Sequence, residues 1–144
     1  MNTTIEKFGY PATLLTEWNH WLLLLRPAQP TLGSCILAAK SDAAAFGDLA
    51  AEAHAELATI TKEIETKLNA AFDYAKINYL MLMMVDPDVH FHVIPRYEGA
   101  REHGGVSFPD AGWPGTPALA SAVELSPQML ADLTSELRRD WSAV

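Results

Sequence analysis

The chain has 144 residues, 49% of them apolar and 19% charged, a size and composition that fit one globular domain and exclude a disordered or fibrous protein. A formal charge of −8 with no basic stripe argues against a nucleic-acid polymer as partner, and leaves room for a small anion only where local positive charge opposes the global field. The lone Cys35 cannot form an internal disulfide and reads as a small buried hydrophobe in a reducing compartment.

Met1 to Phe8 lacks the basic and apolar regions of a signal peptide. The longest strongly apolar run, Tyr79 to Val85, is far shorter than the roughly 20 residues of a membrane span. These features predict a soluble, cytoplasmic protein. Apolar segments His20–Leu25 and Gly33–Ala39 flank Arg26-Pro27-Ala28-Gln29-Pro30-Thr31, which reads as two antiparallel strands around a proline-rich loop.

From Asp48 to Phe72 the spacing predicts a long amphipathic helix, with Leu49, Ala53, Leu57, Ile60, Ile64, Leu68 and Phe72 on one stripe. His54 falls off that stripe and reads as a surface residue. Strands follow at Lys76–Val85 and Val89–Ile94, joined by the turn-forming Asp86-Pro87-Asp88. Met81-Leu82-Met83-Met84 reads as strand core. From Glu98 to Leu119 glycine and proline recur, with Phe108 and Trp113 among them, which predicts a long ordered loop or flap. Ser126-Pro127 supplies the cap and first position of a closing helix that carries Met129, Leu130, Leu133 and Leu137 on one side. The order strand, strand, helix, strand, strand, helix implies an α+β domain with an antiparallel sheet.

Asp88-Val89-His90-Phe91-His92-Val93-Ile94-Pro95 carries the chemistry. Alternate residues of a strand share a face about 6.6–6.8 Å apart. Asp88, His90 and His92 therefore point one way as a polar row, and Val89, Phe91 and Val93 point the other way into the core.

The phrase His90-Phe91-His92-Val93-Ile94-Pro95-Arg96, with the order of elements before it, resembles the histidine-triad superfamily. The resemblance covers about residues 5–97, the expected core of a single domain spanning 1–144, and leaves 98–144 as a loop plus a C-terminal helix. It implies a histidine-triad-like α+β fold: an antiparallel sheet of about five strands, a long central helix and a C-terminal helix. It also implies a nucleotide-binding hydrolase or nucleotidyl transferase, active as a homodimer. There His90 attacks the α-phosphate of a nucleotide or nucleotide conjugate to give a nucleotidyl-histidine intermediate. His92 assists, and neither metal nor cofactor is needed. A homodimer interface is expected on the Asp48–Phe72 helix or its neighbouring strand.

The chain departs from the pattern in three places. The first triad position is Asp88, the stretch before it is Val85-Asp86-Pro87, and the position after the proline-rich loop where a histidine often stands is Ser34. A carboxylate beside His90 would favour the imidazolium and repel phosphate. Arg96 and Arg101, with Ser34, are the candidates to bind substrate, and Trp113 is a candidate to stack on a base. Two other readings stay open. One is a nucleotide-binding module without turnover; the other is a metal protein using Asp88, His90 and His92.

Overall fold

The computed structural model describes residues 2–142, and side chains through Trp141. In chain order it contains α1 (Thr3–Lys7), β1 (Leu14–Glu17), β2 (Trp21–Leu25), β3 (Ala28–Gln29), β4 (Cys35–Ala39), a 3-10 turn (Phe46–Asp48), α2 (Ala51–Phe72), β5 (Lys76–Leu80), β6 (His90–Arg96), β7 (Arg101–His103), β8 (Val106–Phe108), β9 (Val123–Glu124) and α3 (Pro127–Ser142). The main sheet has five strands in the order β1-β2-β4-β6-β5. Every pairing in it is antiparallel. The fold is α+β, as expected.

The two central strands explain the apolar runs of the sequence. Trp21-Leu22-Leu23-Leu24-Leu25 and Cys35-Ile36-Leu37-Ala38-Ala39 are buried at every position. A strand covered on both faces has no polar side to present, so its residues do not alternate. Trp21, Leu23, Leu25, Cys35 and Leu37 belong to the cluster that includes Ala53, Ile60, Ile64, Leu68 and Phe72 of α2. Leu22, Leu24, Ile36 and Ala38 meet Ile5 and Phe8 on the other face. Full burial also pushes the pKa of the Cys35 thiol up, which makes it a core residue rather than a nucleophile.

The helix stripe is buried as its spacing predicts, apart from Leu57, which is only partly covered. Trp21 Nε1 donates to the Ala53 carbonyl at 2.8 Å, and the Glu56 carboxylate accepts from the amides of Asn19 and His20 at 3.1 and 2.8 Å. These bonds register α2 against the β1–β2 turn. His54 is half-buried against Phe46, with ring centroids 4.6 Å apart. The connection after β2 closes around Gly33, whose φ of +88° is a conformation that a side chain disfavours, and where a Cβ would stand 2.7 Å from the Phe72 ring.

Three elements differ from the sequence reading. The strand expected to reach Val85 ends at Leu80, because Val89 bonds Ala43 and Ala39 and so draws the chain before β6 away from β5. Met84 and Val85 are consequently 84% and 85% exposed, not strand core. The glycine-rich loop contains a hairpin, β7–β8, turned by Gly104 and Gly105 at φ +57° and +78°, and Phe108 anchors it fully buried in the α2-side core. Two successive positive φ values suit a two-residue hairpin turn, and glycine adopts them at least cost. The N-terminal segment, in which no element was expected, forms α1 and β1. At the far end Ser126 Oγ caps α3 as predicted, accepting from the Met129 amide at 3.2 Å. Among the described residues no helix is long and apolar enough to cross a membrane.

Candidate functional site

The register places the histidines. His90 lies opposite Ala38 and His92 opposite Ile36, while Leu22 and Leu24 pair with the same two residues from the next strand over. Directly opposed residues share a face, so His90 and His92 sit on the α1 side of the sheet. Val89, Phe91 and Val93 pack on the α2 side. The predicted alternation holds along β6.

The row does not face an open cleft. His90 is 0% exposed and His92 6%. Phe8 covers them, its ring centroid 6.2 Å from that of His90 and 6.3 Å from that of His92. The two imidazoles meet edge to face with centroids 5.1 Å apart. His90 Nδ1 is 2.7 Å from the main-chain carbonyl of Asp88. A carbonyl can only accept, so Nδ1 carries a proton, and in the neutral ring the lone pair is on Nε2. His90 Nε2 and His92 Nδ1 are both buried without a hydrogen-bond partner. Two such atoms side by side are costly to leave in a folded protein, and such groups mark strain, missing solvent or a ligand position.

Asp88 serves the pair through its backbone while its side chain turns elsewhere. The carboxylate accepts from Thr3 Oγ1 and the Thr4 amide, each at 3.3 Å, and from Thr4 Oγ1 at 3.1 Å. Asn2 completes the attachment of this segment. Its Oδ1 accepts from the Ile5 amide at 3.0 Å and its Nδ2 donates to the carbonyls of Ala39 and Ser41, both at 2.9 Å. Lys7 adds an ion pair to Asp86 at 2.6 Å. Residues 2–8 thus form a strap across the histidines, and Asp88 is one of its fastenings.

The remaining candidates separate. Arg96 shares the histidine face but lies four residues beyond His92, roughly 13 Å along the strand. Its guanidinium bonds Asp110 at 2.7 and 3.1 Å, Asn78 at 2.7 Å and the Gly115 carbonyl at 2.9 Å. Arg101 stacks on Tyr97 at 4.6 Å and donates to the carbonyls of Phe72 and Asp73, where its charge suits the C-terminal end of α2. Ser34 is fully buried, and its hydroxyl closes the turn with Thr31, accepting from the Thr31 amide at 3.2 Å and donating to its carbonyl at 2.8 Å. Trp113 is half-buried in a turn after Asp110. None of these four is brought to the histidine pair.

Two residues that sequence reasoning passed over are brought there instead. Phe8 is the lid. Arg26 follows Leu24 by two residues at the end of β2, which carries it toward the same face. Its charge lowers the His92 pKa, after burial and His90 and against Asp86, and together these push it down to about 4. His92 is therefore neutral at pH 7. Lys7, Phe8, Arg26, Pro27, Ala28 and Glu124 line a cavity of about 270 Å³, which reaches the pair through the Phe8 ring that covers it. A cavity of about 300 Å³ near the end of α2 holds the partly exposed His103–Glu136 pair at 3.6 Å, and none of its lining residues leaves a buried polar atom unpartnered. Among the described residues no three His, Cys, Asp or Glu side chains converge as a metal-holding group.

No protein-family model and no curated protein matches the sequence. Solved structures do match its shape. A histidine triad protein from Sinorhizobium meliloti 1021 superposes with a TM-score of 0.74 at 20% identity, covering 97% of this chain and 95% of that one. One from Bradyrhizobium japonicum gives 0.72 at 18% identity, over 97% and 96% of the two chains. Plasmodium falciparum diadenosine triphosphate hydrolase gives 0.67 at 9% identity, over 97% and 95%. The five-stranded antiparallel sheet with a long helix across one face is thus a known architecture, and the chain has the fold of the histidine-triad superfamily.

Proposed function

We propose that the protein binds a nucleoside phosphate at His90 and His92 and transfers the nucleotidyl group through His90. The observation that carries this reading is the state of the His90 ring. Nδ1 is held by the Asp88 carbonyl at 2.7 Å, and Nε2 is buried, unpartnered and next to a second histidine. A ring fixed in orientation and tautomer needs no rearrangement before it attacks. In the first step the Nε2 lone pair forms a bond to the α-phosphorus and the bond to the leaving group breaks. In the second, water displaces His90, restoring the ring and releasing the nucleoside monophosphate.

His92, with its pKa near 4, enters the first step as a neutral hydrogen-bonding partner of the phosphate. An arriving anion opposes that depression and moves His92 toward protonation, which stabilises charge on the phosphoryl oxygens. Leaving groups that depart as stable anions, such as a nucleoside polyphosphate, are favoured over those that must first gain a proton. The fold shared with the diadenosine triphosphate hydrolase and with a hypothetical histidine triad nucleotide-binding protein of Sulfolobus tokodaii supports the substrate class.

A second reading, binding without turnover, is favoured by the strap, since substrate must displace Phe8 before it reaches Nε2. The metal reading loses its ligand set, because the Asp88 carboxylate is fastened to α1. The setting we infer is cytoplasmic. A homodimer would bury the edge of β5 with the exposed Leu82, Met84 and Val85. Light scattering at tens of micromolar protein should then give twice the chain mass.

Intact-mass measurement after mixing with a dinucleoside polyphosphate tests the chemistry. Wild type should carry a nucleotidyl adduct, transient or stable, and His90→Ala none. Nucleotide binding in both proteins with neither adduct nor product in wild type would select the binding-only reading.

A further inference from the structure

We propose that Arg26 is the anion-binding residue of the histidine site, donating from its guanidinium to the phosphate of a ligand seated in the cavity beside His92. This rests on the nucleotide reading above and names the charge that reading lacks. An acidic protein needs local positive charge to hold a phosphate, and the arginines that the motif suggests are spent on structure. Arg96 has Asp110, Asn78 and Gly115 as partners, and Arg101 has the end of α2.

Arg26 stands differently. It is half-buried, its Nε is buried with no hydrogen-bond partner, and its one side-chain bond is from Nη1 to the Ala28 carbonyl at 2.7 Å. None of the ion pairs among the described residues includes it. Asp86 and Glu124 are the anions whose fields it feels, yet Asp86 is already paired with Lys7 and Glu124 stands across the cavity lining. Burial depresses the pKa of Arg26 despite both carboxylates, the mark of a cation desolvated without full compensation.

Position completes the case. Leu24, Ile36 and His92 form one row across β2, β4 and β6, so Arg26, two residues beyond Leu24, lies on the same face one row further along, near enough for its charge to act on His92. Arg26, Lys7 and Glu124 supply the polar part of the cavity, and Phe8, Pro27 and Ala28 the apolar part. Such a lining fits a ligand with one anionic end and one flat apolar end. Nη1 is bonded to Ala28 and Nε is buried, so Nη2, which has neither a partner nor full burial, is the nitrogen free to donate to a phosphate oxygen.

An NMR titration of the full chain, following the Arg26 Nε–H resonance with AMP, adenosine and inorganic pyrophosphate, tests this on wild type and Arg26→Gln. AMP and pyrophosphate should move the Arg26 resonance and adenosine should not. Arg26→Gln should weaken AMP by about tenfold or more, as expected for loss of a charge-assisted hydrogen bond, and leave adenosine within about twofold. The proposal is overturned if saturating AMP or pyrophosphate leaves the resonance in place, or if Arg26→Gln loses adenosine as fully as AMP, which would make the residue structural. Should wild type bind pyrophosphate at Arg26 but neither AMP nor adenosine, the nucleotide reading falls and the anion site stands. Should AMP bind while Arg26 stays silent, the nucleotide reading stands and this one falls.

Discussion

Both ends of β6 carry polar side chains on the same sheet face, one roofed by α1 and Phe8 and the other by irregular chain, and the two roofs treat what lies beneath them differently. At the Arg96 end the segment after Gly99 brings Asp110 and the Gly115 carbonyl onto the guanidinium, and both members of the ion pair are nearly inaccessible at 4% and 1% exposure. Asp110 also accepts from the Tyr97 amide at 3.1 Å. At the histidine end the strap of residues 2–8 lays Phe8 over the rings and satisfies Asp88, yet leaves a nitrogen of each ring without a partner. A buried polar group with all its partners holds a fold together, whereas one left unpartnered is costly to the fold and is a candidate ligand position. By that contrast Arg96 is structural, and His90, His92 and Arg26, grouped on one face beside Phe8, are the site we propose.

The contrast can be broken at either end. Arg96→Ala should have the largest effect, since it strands the buried Asp110 carboxylate and releases the loop. A loss of about 3–5 kcal/mol in chemical denaturation is expected, with nucleotide affinity unchanged under conditions where the variant is folded. Affinity that collapses in parallel would place Arg96 in the site after all. Asp88→Ala comes next. It leaves the Thr4 amide without an acceptor, at a cost of about 1–3 kcal/mol, but keeps the main-chain carbonyl that holds His90. The strap should loosen and ligand association should accelerate in stopped-flow measurements. Slower association with the same stability loss would mean that the strap is not a barrier.

The smallest effect is on pH dependence. The His92 pKa falls from 6.5 to about 4 on folding, so the folded state binds fewer protons than the unfolded state in that interval. Its contribution is fully present above pH 6.5 and is lost as pH drops through about 4. Thermal unfolding of His92→Asn should show a shallower decline across that window than wild type. Parallel curves would show that His92 is not buried in its neutral form.

Much of this arrangement is legible in the sequence wherever periodicity governs it. Ala53, Ile60, Ile64, Leu68 and Phe72 repeat with the helix and are buried with it, and the alternation from Val89 to Val93 divides the two faces of β6. What escapes is set by neighbours that no local pattern encodes. β1 is four residues with a register shift between Leu14 and Thr16, too short and irregular to alternate visibly. The strap forms because Asn2, Thr3 and Thr4 find partners 37 to 85 residues away. Arg26 becomes a neighbour of His92 only through the β2-β4-β6 order. Arg96 looks like the better phosphate ligand in the motif because Asp110, which consumes it, lies across a glycine-rich stretch with no periodic signal.

The most direct test compares the two ends of the strand in one sample. Long-range 1H–15N correlation at pH 8 reads the protonation of each ring nitrogen of His90, and the Nε–H of Arg96 is visible in the same spectra. The protein should show His90 protonated at Nδ1 and bare at Nε2, and millimolar AMP should shift Nε2 while the Arg96 signal stays in place. A proton on Nε2 with Nδ1 bare, or an AMP response at Arg96 and none at His90, would contradict the assignment of the site.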